Sequence, residues 1–178
     1  MHYPTVIILA SGRGERFAAS GGTTHKLQSL LCGKTVLQHT VDAVVASGLP
    51  WHLEDAGHPG MGDSIAAGVA ATPDSPGWLI LPADLPLLQA STIQAVAQQL
   101  RQTVVVIPTY QGARGHPVGF GAACKADLLS LRGNSGAASV IKKHASETLS
   151  VDDQGICMDI DTLQDLERAA AYLRSPLR

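Results

Sequence analysis

The chain has 178 residues and a mass of 18.5 kDa, a size typical of one domain, and we expect residues 1–178 to form a single domain. Hydrophobic residues make up 45% and charged residues 16% of the sequence, which excludes a disordered chain. Thirteen Lys and Arg residues against fifteen Asp and Glu residues give a formal net charge of −2, which argues against a strongly cationic nucleic-acid-binding protein.

The cysteines and the apolar segments bear on the compartment in which the protein works. Cys32, Cys124 and Cys157 are far apart and form no CxxC pair, so the sequence predicts neither a disulfide framework nor a zinc site. The apolar run 6–10 is too short for a signal peptide, and no stretch approaches the roughly 20 apolar residues that span a bilayer. We therefore expect a cytoplasmic protein that binds no membrane.

Strands and helices alternate along the chain. The apolar run 6–10 predicts a buried parallel strand, and a glycine-rich loop, 11–25, follows it. The sequence next predicts helix 35–46, strand 51–54, helix 63–71, strand 78–81, helix 91–102 and strand 103–107, with Ser91 as the N-cap of the helix 91–102. The second half continues with a short strand or loop at 115–121, short helices 126–131 and 136–144, and short strands 148–151 and 156–158. The last predicted element is helix 162–173, with Thr162 as its N-cap and Asp165 in a capping box. This alternation predicts a Rossmann-like α/β fold, a three-layer sandwich around a mainly parallel sheet.

The loop after the first strand is the first candidate for a binding site, because ligands of such sheets bind beyond the carboxyl ends of the strands. It reads Leu9-Ala10-Ser11-Gly12-Arg13-Gly14-Glu15-Arg16-Phe17. Glycines let backbone N–H groups approach phosphate oxygens closely, and Arg13, Arg16 and Lys26 add positive charge. The loop is neither a P-loop nor a dinucleotide fingerprint, since Phe17 stands where a third glycine would be. A flexible basic surface loop is the alternative interpretation.

Five segments, in the same order, resemble the MobA-like nucleotidyltransferases, and among these most closely the molybdenum-cofactor cytidylyltransferase (MocA-like) branch. The residues from Leu9 to Phe17, followed by Lys26, resemble the signature LAAGxSxRM/FG…K. The second segment, Gly60-Met61-Gly62-Asp63-Ser64, resembles GMSxS, and the third, Pro82-Ala83-Asp84-Leu85-Pro86, resembles the metal-binding DxP segment. The fourth, Gly115-His116-Pro117-Val118, matches GHPV. The fifth, Asp159-Ile160-Asp161-Thr162 with Asp165-Leu166, resembles DIDTPEDL. The resemblance covers nearly the whole chain.

The resemblance implies an enzyme that binds a nucleoside triphosphate with Mg²⁺ and transfers its nucleoside monophosphate to an acceptor phosphate, releasing pyrophosphate. In the MocA-like branch the nucleotide is CTP and the acceptor is a molybdopterin cofactor, with a molybdoenzyme or a maturation factor as a further partner. The implied residues are Leu9, Ala10, Ser11, Gly12, Arg13, Gly14, Gly60, Met61 and Ser64 for the nucleotide, Arg16, Lys26 and Asp84 for catalysis, and His116 and Asn134 for the acceptor.

Carboxylates at the strand ends are the candidate metal ligands, because a hard cation that bridges phosphates prefers carboxylate oxygens. Asp84 is the first candidate and Asp161 the second. Asp159 competes with Asp161, since both lie in one short segment; an ordinary polar residue before a helix is the alternative for Asp161. His116 fits an acceptor contact or a turn residue equally well. The other histidines considered, His39, His52, His58 and His144, lack metal-ligand spacing and are interpreted as surface or packing residues.

The sequence departs from the family pattern in its middle and in two loops. The helix that begins at residue 35 ends near Ser47, and only residues 48–59 separate it from Gly60. This leaves the fold one β-α unit shorter than the family pattern and the choice of base open. Eight residues separate Phe17 from Lys26, so we expect Lys26 to reach the phosphates once this loop orders. Asn134 stands where the family has an acid. The alternatives to a cytidylyltransferase are a guanylyltransferase that uses GTP, a sugar-phosphate nucleotidyltransferase, and a non-catalytic carrier of nucleotide or cofactor.

Overall fold

A computed structural model describes residues 3–175 and contains a seven-stranded sheet, a small two-stranded sheet and seven α-helices. The expected single domain extends at both ends into residues 1–2 and 176–178, which lie outside the described residues. The strands are β1 (Thr5–Leu9), β2 (Leu30–Leu31), β3 (Lys34–Thr35), β4 (Trp51–Glu54), β5 (Gly77–Pro82), β6 (Val105–Tyr110), β7 (Ala113–Arg114), β8 (Val118–Gly121) and β9 (Ser146–Ser150). The helices are α1 (Glu15–Ala19), α2 (Val36–Ser47), α3 (Met61–Ala71), α4 (Ala90–Gln99), α5 (Lys125–Leu129), α6 (Ala138–Lys143) and α7 (Leu163–Arg174).

The large sheet is mixed but mostly parallel. Its order is β4-β1-β5-β8-β6, with β7 and β9 also paired to β6. β1 pairs in parallel with β4 and β5, and β6 pairs in parallel with β9, whereas β7 and β8 run the opposite way. Because β8 is antiparallel to both β5 and β6, those two strands share a direction. The predicted fold class is therefore confirmed, and the carboxyl ends of β4, β1 and β5 meet at one edge.

Helices cover both faces of this sheet, as the period-two alternation of β1 requires. Val6 and Ile8 are fully buried in one core, which α2 and α4 cover. Ile7, between them, is fully buried in the second core, which α3, α5 and α6 cover. Gly68 of α3 has a packing role, since a Cβ there would lie 2.5 Å from Ile7 Cγ2. The close approach of α3 to β1 therefore needs glycine. Within residues 3–175 no helix is long and apolar enough to cross a membrane.

β7 and β8 lie along the same side of β6 and are separated by a short break. β9 pairs with one side of β6 along Val105–Thr109. β8 pairs with Val105 and Val106 and β7 pairs with Thr109 and Tyr110, so β7 and β8 both lie on the other side of β6. Between them the chain leaves the ladder, and the His116 N–H donates to the Ile156 carbonyl at 3.1 Å. A Cβ on Gly115 would lie 2.5 Å from that carbonyl oxygen, so glycine is needed here. The break turns His116 away from the sheet edge and towards the candidate site.

Several local predictions were wrong, and long-range contacts explain two of them. α4 does not start at Ser91: Gln89 is its N-cap, and the Gln89 N–H donates to the distant Asp153 carboxylate at 3.0 Å. Residues 156–158 are not a strand: Ile156 and Cys157 end a 3₁₀ turn, Gln154–Cys157, and Met158 is its C-cap. The Gly155 N–H of this turn also donates to Asp153. The loop 11–25 contains α1, and a hairpin of β2 and β3 follows it. The capping box of Thr162 and Asp165 is confirmed.

Candidate active site

A cavity of about 820 Å³ lies at the edge where the carboxyl ends of β4, β1 and β5 meet. The predicted site residues that line it are Leu9, Ser11, Gly12, Arg13, Gly14, Arg16, Lys26, Gly60, Met61, Ser64, Asp84, His116, Asn134 and Asp161. Ala10 does not line it; instead its N–H donates to the Glu54 carbonyl at 2.9 Å and ties the loop after β1 to β4. Residues from separate stretches of the chain thus converge on one cavity.

Two cations and three carboxylates form the charged end of this cavity. Lys26 Nζ lies 2.6 Å from Asp84 Oδ2 and 3.2 Å from Asp161 Oδ1. Arg16 Nη1 donates to the other oxygen of Asp161 at 2.5 Å. Asp84, Asp159 and Asp161 each offer a carboxylate oxygen, and these oxygens lie within 4.8 Å of one another. The carboxylates outnumber the cations in the cluster, an arrangement suited to a further cation.

Asp159 and Asp161, the two competing candidates for the second metal ligand, both face the cluster. Ile160, between them, is buried, and its N–H donates to the Asp84 carbonyl at 3.0 Å. This bond lays the segment before α7 across the end of β5. Residues two apart in an extended segment point the same way, so both carboxylates turn towards Asp84. Burial and the neighbouring Asp84 carboxylate raise the pKa of Asp159.

Lys26 already lies in the cluster, so the longer loop does not keep it away. It begins a 3₁₀ turn, Lys26–Gln28, that is capped by the His25 ring, and the other ring nitrogen of His25 bonds to the Gly12 carbonyl at 2.7 Å. Burial lowers the pKa of Lys26, but the Asp84 and Asp161 carboxylates outweigh it, and the net pKa lies above the usual 10.5. Lys26 is therefore a cation in this position.

Two buried polar atoms at this end have no hydrogen-bond partner among the described residues: Asp84 Oδ1 and His116 Nδ1. Burial lowers the pKa of His116, although the Asp84 charge and a hydrogen bond to the Ile80 backbone oppose the shift. The ring is therefore neutral near pH 7. An unpaired buried carboxylate oxygen is costly unless a ligand binds it, so the donor set fits a divalent cation held by Asp84 and Asp161, with Asp159 beside them.

The α3 end of the cavity is built by backbone contacts. The Gly62 N–H donates to the Gly133 carbonyl at 2.8 Å, and the Gly133 N–H donates to the Asp63 carboxylate at 2.9 Å. A Cβ on Gly60 would lie 2.2 Å from the Gly133 carbonyl oxygen, so only glycine fits. These contacts place Asn134, predicted to bind the acceptor, beside the segment predicted to bind the nucleotide.

Sequence reasoning missed a second polar cluster, at the end of β4. Glu54 is only 7% exposed, and its carboxylate accepts hydrogen bonds from His58 Nε2 at 2.9 Å and His52 Nε2 at 3.2 Å. Burial raises the pKa of Glu54, but the bonds from His58 and His52 outweigh it, and its net pKa is below the usual 4.5. His58 lines the cavity and is not a plain surface or packing residue. The available signal was a Glu with His residues two before and four after it, at a strand end.

A mostly parallel α/β sheet with a glycine-rich loop after its first strand and acids at its strand ends is suited to binding a nucleotide and a divalent cation. The model of the MobA-like NTP transferase domain matches residues 43–148, more than half of the chain. The chain therefore belongs to the MobA-like NTP transferase family and is a nucleotidyltransferase. No curated protein sequence matches it.

Solved structures share the fold at low sequence identity. Rv0371c from Mycobacterium tuberculosis H37Rv is 21% identical to this chain, with a TM-score of 0.78, and the match covers 95% of this chain and 98% of Rv0371c. A further structure of Rv0371c is a complex with manganese. Molybdopterin-guanine dinucleotide biosynthesis protein A from Archaeoglobus fulgidus is 14% identical with a TM-score of 0.68, covering 95% and 98%. The 2-C-methyl-D-erythritol 4-phosphate cytidylyltransferase from Thermus thermophilus is 18% identical with a TM-score of 0.71, covering 98% and 100%. The shared architecture thus occurs in proteins named for different bases and acceptors.

Proposed function

We propose that the protein is a Mg²⁺-dependent cytidylyltransferase that transfers CMP from CTP to a molybdopterin-type acceptor and releases pyrophosphate. One observation carries the proposal: Asp84, Asp161 and Lys26 converge at the strand ends, directly beside the glycine-rich loop. The resemblance of five ordered segments to the MocA-like branch favours CTP and this acceptor within the family.

The glycine-rich loop would bind the triphosphate. The N–H groups of residues 11–14 donate to no other described residue, so they are available to phosphate oxygens. The Arg16 side chain is 80% exposed, and its ion pair is with Asp161. Because an exposed ion pair contributes little to stability, Arg16 can turn to a phosphate at a small cost in free energy. Arg13 lines the same cavity and adds positive charge.

Asp84 and Asp161 would hold Mg²⁺, which when bound offsets negative charge at the phosphorus that is transferred. Lys26 then exchanges its bond to Asp84 for the phosphates of the nucleotide. In the reaction an oxygen of the acceptor phosphate forms a bond to the α-phosphorus of CTP, and the bond from that phosphorus to the β-phosphate oxygen breaks. The acceptor phosphate is already an anion, so this chain needs no strong general base. Lys26 and Arg16 stabilise the charge that develops on the departing pyrophosphate.

His116 and Asn134 would contact the acceptor from two sides of the cavity. His116 is neutral near pH 7 because of its lowered pKa, so it interacts with the acceptor by hydrogen bonding and not by charge. Asn134 lies beside Gly60 and Met61, where the acceptor would meet the nucleotide. A molybdoenzyme or a maturation factor would receive the product.

Pyrophosphate release tests the proposal. Purified protein with Mg²⁺ and molybdopterin cofactor is supplied in turn with CTP, GTP, ATP and UTP. We expect release with CTP. Release with GTP alone would indicate the guanylyltransferase. Release that occurs only when a sugar phosphate replaces the molybdopterin cofactor would indicate the sugar-phosphate nucleotidyltransferase. Folded protein that binds cofactor and releases no pyrophosphate with any nucleotide would contradict an enzymatic role and support a carrier.

A further inference from the structure

The His58–Glu54 pair lies beside the cavity, and the chemistry at Asp84 does not use it. The Glu54 carboxylate is buried and accepts three hydrogen bonds, from His58 Nε2 at 2.9 Å, His52 Nε2 at 3.2 Å and the Ala56 N–H at 3.3 Å. Of the two rings, His58 lines the cavity and His52 does not. A buried carboxylate thus holds one imidazole at the cavity wall.

The same segment is bonded to the loop that would bind the triphosphate. Ser11 Oγ donates to the Ala56 carbonyl at 2.7 Å and lies 3.3 Å from the Glu54 carbonyl. The His58 N–H also donates to the Ala56 carbonyl, at 2.7 Å. His58 therefore keeps its position relative to the loop, as a residue that reads a bound nucleotide must.

The sheet order gives the direction in which a nucleotide would lie. Along the carboxyl edge the strands follow as β4, β1 and β5, so Glu54 ends the first, the glycine-rich loop follows the second and Asp84 follows the third. Neighbouring strands are about 4.8 Å apart, so the ends of β4 and β5 are separated by about 10 Å. A ribose with its base fills such a span. With the phosphates between the loop and Asp84, the base reaches the β4 side, where His58 lies.

The carboxylate partner determines which nitrogen of the His58 ring can read a base. An ionised carboxylate only accepts hydrogen bonds, so the proton of a neutral ring is on Nε2 and points to Glu54. Nδ1 is then an acceptor, and it has no hydrogen-bond partner among the described residues. The exocyclic amino group of cytosine can donate to such an acceptor. The carbonyl oxygen that replaces this group in uracil cannot.

We propose that His58, held by Glu54, is the base-reading residue of this chain and favours a nucleotide with an exocyclic amino group, CTP, over its oxo counterpart, UTP. The inference rests on the proposed function, because it takes the cavity to be a nucleotide site. It assigns to residues 52–58 a role in base choice that the shortened middle of the chain had left open.

Dissociation constants for CTP and UTP, measured with Mg²⁺ on the full chain, test the inference. His58→Phe keeps a ring of similar shape and removes the acceptor, and His52→Phe makes the same change on the ring outside the cavity. We expect the wild-type protein and His52→Phe to prefer CTP by about tenfold, the effect of one hydrogen bond that is made or left unsatisfied, and His58→Phe to lose most of that preference.

Each result decides a different question. Equal preference for CTP in His58→Phe and wild type would overturn the inference and leave the proposed cytidylyltransferase intact. No preference in wild type would overturn the inference and the choice of CTP, but not nucleotidyl transfer itself. A wild-type protein that binds no nucleoside triphosphate would overturn both. If His58→Phe does not fold by circular dichroism, Glu54→Gln replaces it. That change removes the carboxylate that sets the tautomer, and the preference should again fall; an unchanged preference in that variant would equally overturn the inference.

Discussion

The Lys26 ammonium lies 2.6 Å from the Asp84 carboxylate and joins the loop after β1 to the end of β5. The two side chains are 13% and 14% exposed, so the pair is largely removed from water. A cation bound by Asp84 competes with Lys26 for the same carboxylate. Lys26 therefore neutralises the acids in the structure, and in the proposed function it would turn to the phosphates once a cation binds.

Loss of this pair should destabilise the protein, since it leaves the Asp84 and Asp161 carboxylates close together without their cation. We expect Lys26→Met to lower the free energy of unfolding by about 2 kcal/mol in urea titrations without metal. Added Mg²⁺ should recover part of the loss. Lys34→Met is the matched control, because Lys34 pairs with Asp42 on the surface, where water screens the pair and its contribution to stability is small. Equal losses in both variants would contradict the account.

Asp153 should contribute strongly to the stability of the fold, although it does not line the cavity. It is 2% exposed and accepts hydrogen bonds from the Thr92 hydroxyl, the Gln89 N–H and the Gly155 N–H. We expect Asp153→Ala to lower the free energy of unfolding by about 3 kcal/mol, because it leaves buried donors unpaired. The neighbouring exposed Asp152 is the control, and its change to Ala should cost under about 0.5 kcal/mol. Thermal and urea unfolding measure both.

Gly60→Ala should weaken nucleotide binding by about tenfold or more while the protein stays folded, because the new methyl group must push residues 133–135 away from the cavity. Gln98→Ala is the control, since Gln98 is exposed on α4 and does not line the cavity. Titration of each variant with CTP and Mg²⁺ measures the effect. Unchanged binding in Gly60→Ala would show that the 133–135 loop does not shape the nucleotide site.

The pH dependence of stability should report the Glu54 cluster. The pKa of Glu54 in the folded protein lies below its usual 4.5, so its contribution is present above pH 4.5 and is lost as the pH falls through the lower, folded value. We therefore expect Glu54→Gln to be less stable than wild type at pH 6, and the difference to shrink below pH 4.5. Urea titrations across this range, from about pH 6 down to about pH 3, measure it; a difference that stays constant would contradict the assignment.

The parts of the fold that follow from local patterns could be predicted, and the parts that depend on distant contacts could not. The apolar run of β1 and the capping box of α7 are local and were found. The start of α4 and the turn at Gln154–Cys157 both depend on Asp153, and no short-range pattern shows that contact.

The same distinction holds for the candidate site. The glycine-rich loop and Asp84 follow strands that the sequence predicts, so their meeting at one edge could be foreseen. That Asp159 and Asp161 both face Asp84 depends on the Ile160 N–H bond to the Asp84 carbonyl. The Glu54–His58 pair matches no motif and becomes visible only when β4 and the loop are placed side by side.

The most direct test of the central claim compares two Asp→Asn changes at opposite ends of β5. Asp84 follows the carboxyl end of the strand in the cluster, and exposed Asp74 precedes its amino end. Pyrophosphate release is measured with CTP, molybdopterin cofactor and Mg²⁺. We expect Asp84→Asn to lose turnover at least about a hundredfold, because a neutral amide holds Mg²⁺ poorly and removes one negative charge from the site, and Asp74→Asn to match wild type. Wild-type turnover in Asp84→Asn would contradict a metal-dependent transferase centred on Asp84.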